Sequence, residues 1–135
     1  MAAAVSGTTS LLTIETQLTE HLRHHRKVSK GSARQSALEL LDTVKIPDPA
    51  SALKAHAGQF SGGMRQRIAI AMALACDPKL LIADEPTTAL DVTVQAGILK
   101  LLRQLRSERD LSIMVITHDL GVLSSLTDRI MIMYA

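Results

Sequence analysis

The chain has 135 residues, 47% of them hydrophobic and 21% charged, which is enough material for one modest folded domain with one core. Its net charge of +2 is too small to imply a nucleic-acid surface, and Phe60 and Tyr134, its only aromatics, leave almost nothing for base stacking. The single cysteine excludes an internal disulfide, and no stretch approaches the ~20 apolar residues of a membrane-spanning helix.

The start, Met1 to Gly7, lacks a basic leader and a long apolar region, so no secretory signal is expected. A cytoplasmic protein follows, with any membrane association made through a partner. Ile14, Leu18 and Leu22 recur every fourth residue and predict an amphipathic helix running out near His24-His25-Arg26-Lys27. His24 and His25 are adjacent, face different sides of that helix, and cannot share a metal without a distant partner. With Arg23, Arg26 and Lys27 they read as a solvated basic helix end, favourable to the dipole.

A second helix is signalled by a capping-box pattern, Ser32 with Gln35, and by an apolar face of Ala33, Ala37, Leu40, Leu41 and Val44. Ile46-Pro47-Asp48-Pro49 stops it, because proline cannot donate to a helix ladder. Residues 61–75 predict a helix with so little polar face that burial all round is expected, ended by Asp77-Pro78. Cys76, at the end of that helix, reads as a buried and inert thiol.

Helix and strand then alternate. Strands are predicted at 79–84, 112–117 and 129–134, with a helix at 93–106 and a short one from Leu120. Continuous apolar strands separated by helices argue for an α/β class with a parallel sheet covered on both faces. Two units are expected: residues 1–59, mainly helical, and residues 60–135, a long helix followed by part of the α/β core.

Three places carry chemistry. Ser61-Gly62-Gly63 opens a helix, where unpaired backbone N–H groups and the dipole suit an anion and residues without Cβ admit phosphate oxygens. A plain N-cap followed by permissive glycines is the simpler alternative. Asp84 and Glu85 end an apolar strand at Pro86, and paired like charges there suit a cation and an ordered water as well as two solvated carboxylates. Asp91 starts a helix whose core face is Val94, Ile98, Leu101, Leu102 and Leu105, so it serves as an N-cap or more. His118 follows the strand Ile113-Met114-Val115-Ile116-Thr117 and precedes Asp119; it can donate to a phosphate oxygen, or be only a satisfied polar residue. Gly58 and Gly63 have the spacing of a phosphate-binding loop, but Met64 and Arg65 stand where lysine and Ser/Thr are required and no strand precedes them.

Taken in order, residues 60–67, 80–86, Thr88 to Asp91 and Thr117-His118-Asp119 resemble the signature, Walker B, D-loop and switch segments of an ATP-binding cassette (ABC) ATPase. The variant Ser-Gly-Gly-Met-Arg-Gln-Arg and the Ile46 to Pro49 turn resemble the importer subfamily for dipeptides, oligopeptides and nickel, and Thr9-Ser10-Leu11 resembles the tail of its Q-loop segment. The resemblance implies a partial P-loop NTPase domain, a helical subdomain followed by part of the parallel-sheet core. It implies that Ser61, Gly62 and Gly63 contact the γ-phosphate of ATP held by an opposite subunit. Asp84 would serve Mg²⁺, Glu85 would be the catalytic base, Asp91 would lie at the dimer interface, and His118 would be the switch histidine. The implied partners are a second ATPase subunit in a head-to-tail dimer, membrane-spanning permease subunits and, indirectly, an extracytoplasmic solute-binding protein. They place the chain on the cytoplasmic face of the membrane.

Phe60 departs from the family's usual leucine. The Walker A loop, the adenine-stacking aromatic, the Q-loop glutamine and the first strands have no counterpart, so the strands neighbouring Leu80 to Ala83 are expected to be missing. A fragment of an importer ATPase, inactive alone, is therefore the leading expectation. An ABC-class ATPase of DNA repair or translation, and a truncated remnant or interaction module, are the alternatives.

Overall fold

The computed structural model describes residues 2–4 and 11–134; Thr9 and Ser10 of the Q-loop resemblance lie outside the described residues. Three parallel strands form one sheet in the order β1 (Ala2–Ala4), β2 (Leu80–Asp84) and β3 (Ser112–Ile116). Six α-helices are described: α1 (Ile14–Arg26), α2 (Lys30–Thr43), α3 (Pro49–Lys54), α4 (Gly62–Leu74), α5 (Val92–Glu108) and α6 (Leu120–Leu126).

The helix ends follow local chemistry. Thr13 caps α1 by accepting from the Thr16 N–H, and Lys27, in the left-handed region at φ 53°, closes it by donating to the Arg23 carbonyl. Ser29, not Ser32, caps α2: its hydroxyl accepts from the Ser32 N–H at 3.2 Å, while Gln35 reaches Glu39 instead of closing a capping box. Pro49 opens α3, a short helix not predicted from the sequence, where the prolines read only as a stop to α2. At the first helical position proline loses no hydrogen bond, and Asp48 caps the turn from φ 46°.

Ile14, Leu18 and Leu22 of α1 are fully buried, and one core cluster runs from them through Leu41 and Leu53 to Ile68 and Ile70 of α4. It continues to Leu81 of β2 and to Ile98 and Leu102 of α5. Helices α1, α2 and α3 pack on one another, and α4 packs against both α2 and α5, so the long apolar helix is buried nearly all round as its composition requires.

The sheet departs from expectation in three ways. Strand β2 does have a second neighbour, since Ala2, Ala3 and Ala4 pair with Leu80, Leu81 and Ile82. Three alanines carry little strand propensity, and only the tertiary pairing identifies them. Among the described residues the sheet is covered on one face only: Leu81 and Ala83 are fully buried, whereas Met114 and Ile116 are 45% and 50% exposed. Residues 129–134 form no strand. They pair with none of the described strands, and Tyr134 is 93% exposed. An apolar run becomes a strand only where a neighbour satisfies its backbone groups. Cys76 also differs from expectation, being half-buried, with its Sγ 3.5 Å from His21 Nε2.

Candidate functional site

Strands β2 and β3 end level, because Asp84 pairs with Ile116, so the residues after each emerge at the same sheet edge. The crevice beyond the carboxyl ends of parallel strands is where open α/β sheets bind ligands. Asp84 is exposed there. Glu85 turns the chain at φ 47°, an uncommon conformation for a residue with a Cβ, and its N–H donates to the Ile116 carbonyl at 2.8 Å.

That turn aims the Glu85 carboxylate at β3. Its Oε2 accepts from the Thr88 hydroxyl at 2.5 Å, and its Oε1 lies 2.9 Å from His118 Nδ1. The Thr88 hydrogen bond, followed by that of His118, holds the Glu85 carboxyl below the usual carboxylate range. In return the Glu85 carboxylate pushes the His118 imidazole above its ordinary value. Residues 33 positions apart thus form one acid–imidazole pair, with the His118 side chain 82% exposed.

Asp119 extends the cluster. Its Oδ1 caps α6 by accepting from the Gly121 and Val122 N–H groups, and its Oδ2 accepts from Gln95 Nε2 on α5 at 3.2 Å. Gln95 was not singled out from the sequence, and Thr88 was named there only as the start of the Thr88 to Asp91 segment, with no role of its own. For Thr88 the available signal is its position three residues after Glu85 in a turn, whereas Gln95 carries none.

Ser61 is exposed and caps α4, accepting from the Met64 N–H at 3.3 Å, which leaves the Gly62 and Gly63 amides ahead of the first helical hydrogen bonds. The two glycines face the start of α5. A Cβ on Gly63 would approach Val94 Cγ1 to 2.3 Å, and one on Gly62 would approach Leu90 Cδ2 to 3.1 Å. Packing within the chain therefore already demands glycine at 63, independently of any phosphate. Asp91, beside these contacts, caps α5 by accepting from the Val94 N–H at 2.9 Å. Among the described residues no hydrogen bond or ion pair joins Ser61, Gly62 or Gly63 to Asp84, Glu85 or His118. Arg67, one turn on from Gly63, donates to the Val44 carbonyl at the end of α2.

In chemical terms, the strand-end cluster offers an exposed carboxylate at Asp84, suited to a hard cation, and an anionic Glu85 with an exposed imidazole beside it. The start of α4 offers two amides and the positive end of a helix dipole. No described helix is long and apolar enough to cross a membrane.

Residues 3–88 match the ABC transporter family. Among curated relatives, the dipeptide transport ATP-binding protein DppD of Bacillus subtilis (strain 168) is 56% identical over 124 residues, which cover 92% of this chain and 37% of DppD. The oligopeptide transport ATP-binding protein OppD of the same organism is 57% identical over 119 residues, covering 88% of this chain and 33% of OppD. The chain spans about a third of the length of these relatives. Among solved structures, the ATP-binding cassette MJ0796, dimeric and bound to ADP and Pi in a post-hydrolysis state, aligns with a TM-score of 0.77 at 32% identity. That alignment covers 92% of this chain and 55% of the cassette. With the family matched over well over half its length, on a fold shared with a solved ATP-binding cassette, the chain belongs to the ABC transporter family.

Proposed function

We propose that this chain supplies the signature and Walker B portion of the ATP-hydrolysing subunit of a peptide importer. The observation that carries the reading is the Glu85–His118 pair at the exposed carboxyl ends of β2 and β3, with Asp84 beside it. In this reading Glu85 accepts the proton of the attacking water and His118 holds Glu85 in place and senses the terminal phosphate. Asp84, an exposed oxygen donor at a strand end, fits Mg²⁺, which when bound would neutralise charge on the phosphate oxygens.

Ser61 and the amides of Gly62 and Gly63 fit the γ-phosphate of an ATP held by a second subunit. They make no hydrogen bond to the chain's own strand-end cluster, which favours a head-to-tail dimer in which each site draws on both copies. Asp91, at the adjoining helix start, would face that second subunit. Residues 1–59 would transmit ATP binding to permease subunits fed by a solute-binding protein, and residues 60–135 would carry the chemistry. The cytoplasmic face of the membrane follows from those partners. The relatives' names favour dipeptides or oligopeptides over nickel, and favour an importer over an ATPase of DNA repair or translation.

Transport tests this reading. The chain is placed in Bacillus subtilis DppD in exchange for the matched residues, and uptake of a labelled dipeptide is followed in cells lacking their own DppD. Restored uptake that disappears with Glu85→Gln is the expected result. A chimera that assembles normally yet restores none would overturn it.

A further inference from the structure

We propose that His21, His25 and Cys76 form a binding site for a borderline-soft divalent ion of the zinc class, tying the end of α1 to the end of α4. The ligand atoms of the three side chains all lie within 4.8 Å of one another. His21 and His25 are one helical turn apart, so both imidazoles leave the same face of α1. The sequence pairs His25 more obviously with His24, whose ring meets it edge-on at 4.9 Å, but it is His21 whose ring nitrogen lies beside the Cys76 thiol. The partner that completes the site, Cys76, lies 55 residues beyond His21 and is brought in by the fold.

The spacing suits a tetrahedral ion. Zinc–sulfur and zinc–nitrogen bonds of about 2.3 and 2.0–2.1 Å at a tetrahedral angle put the two donors about 3.5 Å apart. His21 Nε2 and Cys76 Sγ are separated by 3.5 Å. The His21 and His25 rings stand 4.6 Å apart between centroids, tilted at 57°, and His25 offers the third ligand atom within 4.8 Å of the other two. Water would take the fourth position.

The two segments are also held in place independently of any ion. Arg26, one residue past His25, pairs with Asp77, one residue past Cys76, and Arg109 approaches the other oxygen of Asp77 at 3.5 Å. These pairs keep the two segments that carry the donors side by side, which removes part of the ordering cost of binding. Burial, then the neighbouring His25 and His24, lowers the pKa of His21 and favours the neutral imidazole that a metal requires. Burial raises the pKa of Cys76, and binding as a thiolate would displace its proton.

Cobalt(II) titration of the purified, nucleotide-free chain under reducing conditions is the test, with zinc added in competition. A near-ultraviolet thiolate-to-cobalt charge-transfer band, together with visible bands of tetrahedral intensity, is expected, and zinc should abolish both. Cys76→Ser should remove the charge-transfer band. It should also weaken binding by at least ~100-fold, because losing even an outer-shell partner costs about 10–100-fold. His21→Ala should weaken binding comparably, whereas His24→Ala should keep the charge-transfer band and change affinity far less, because His24 only neighbours the ligands. Circular dichroism of each variant verifies folding, and zinc should raise the melting temperature of the parent but not of Cys76→Ser. Absence of the charge-transfer band, or cobalt binding that Cys76→Ser leaves intact, would show a surface histidine pair only and overturn the site.

Discussion

Gly63 sits so close to Val94 that an added Cβ would come within 2.3 Å of the valine Cγ1. The contact joins the first turn of α4 to the first turn of α5, and a β-branched valine has little freedom to swing aside. Gly63→Ala should therefore destabilise the fold by ~1–3 kcal/mol through overpacking. Val94→Ala in the same chain should recover most of that loss. Gly62→Ala meets only the flexible end of Leu90 and should change stability little. Denaturant melts of the four proteins check this, and an unaffected Gly63→Ala would show that the two helix starts are not packed as described.

The Glu85–His118 pair makes a pH prediction with two limbs. Glu85 has a lowered pKa, so its contribution to stability is present above its ordinary value of 4.5 and is lost as pH falls through the folded value. His118 has a raised pKa, so its contribution is complete below its ordinary value of 6.5 and is lost as pH rises through the folded value. The pair supports the fold most between these ordinary values and fades on either side. Both groups are exposed and the effect on stability is small, so the direct measurement is an NMR titration of the His118 ring. In the parent it should titrate above 6.5, and Glu85→Gln should bring it back toward that value. Identical titrations in the two proteins would mean that the pair does not form in solution.

How much of this was legible in the sequence depends on how far apart the partners are. Helices α1 and α5 could be read from periodicity because each buries a continuous face, Ile14-Leu18-Leu22 being the plainest case, and α4 from an apolar run too long for a strand. The start of α2 was misplaced by three residues, because Ser29 and Ser32 both suit a cap and only the backbone decides between them. Helix α3 was hidden because Pro47 and Pro49 signal a stop to α2, and the same Pro49 also suits a first helical position. Strand β1 was hidden because three alanines become a strand only by pairing with β2. At the site, Asp84, Glu85 and His118 were each marked by a strand end. The hydrogen bond between Glu85 and His118 depends on the level ending of β2 and β3, which no local pattern records.

The open face of the sheet has a measurable consequence for the 135-residue chain. Met114, Ile116 and Leu120 are 45–72% exposed, and Ile130 to Tyr134 are 54–93% exposed. Apolar surface of that extent binds hydrophobic dyes and promotes association. The purified chain should enhance anilinonaphthalene sulfonate fluorescence strongly and aggregate on concentration, and Ile116→Thr with Met131→Ser and Met133→Ser should reduce both. A monodisperse parent without dye binding would show that these residues are covered.

ATP hydrolysis by the purified chimera with Bacillus subtilis DppD tests the central claim most directly, measured for the parent, Glu85→Gln and Ser61→Arg with nucleotide occupancy recorded alongside. Positioning of the phosphates supplies most of the catalysis in this chemistry, and this chain has no Gly-x-x-x-x-Gly-Lys-Ser/Thr segment to hold them, so the 135 residues alone should release no phosphate above background. The parent chimera should hydrolyse ATP. Glu85→Gln should abolish turnover while ATP stays bound in a closed dimer, since the amide keeps the shape of the carboxylate but accepts no proton. Ser61→Arg should prevent the closed dimer from forming. Hydrolysis by both variants at the parent rate would contradict the roles assigned to Glu85 and Ser61.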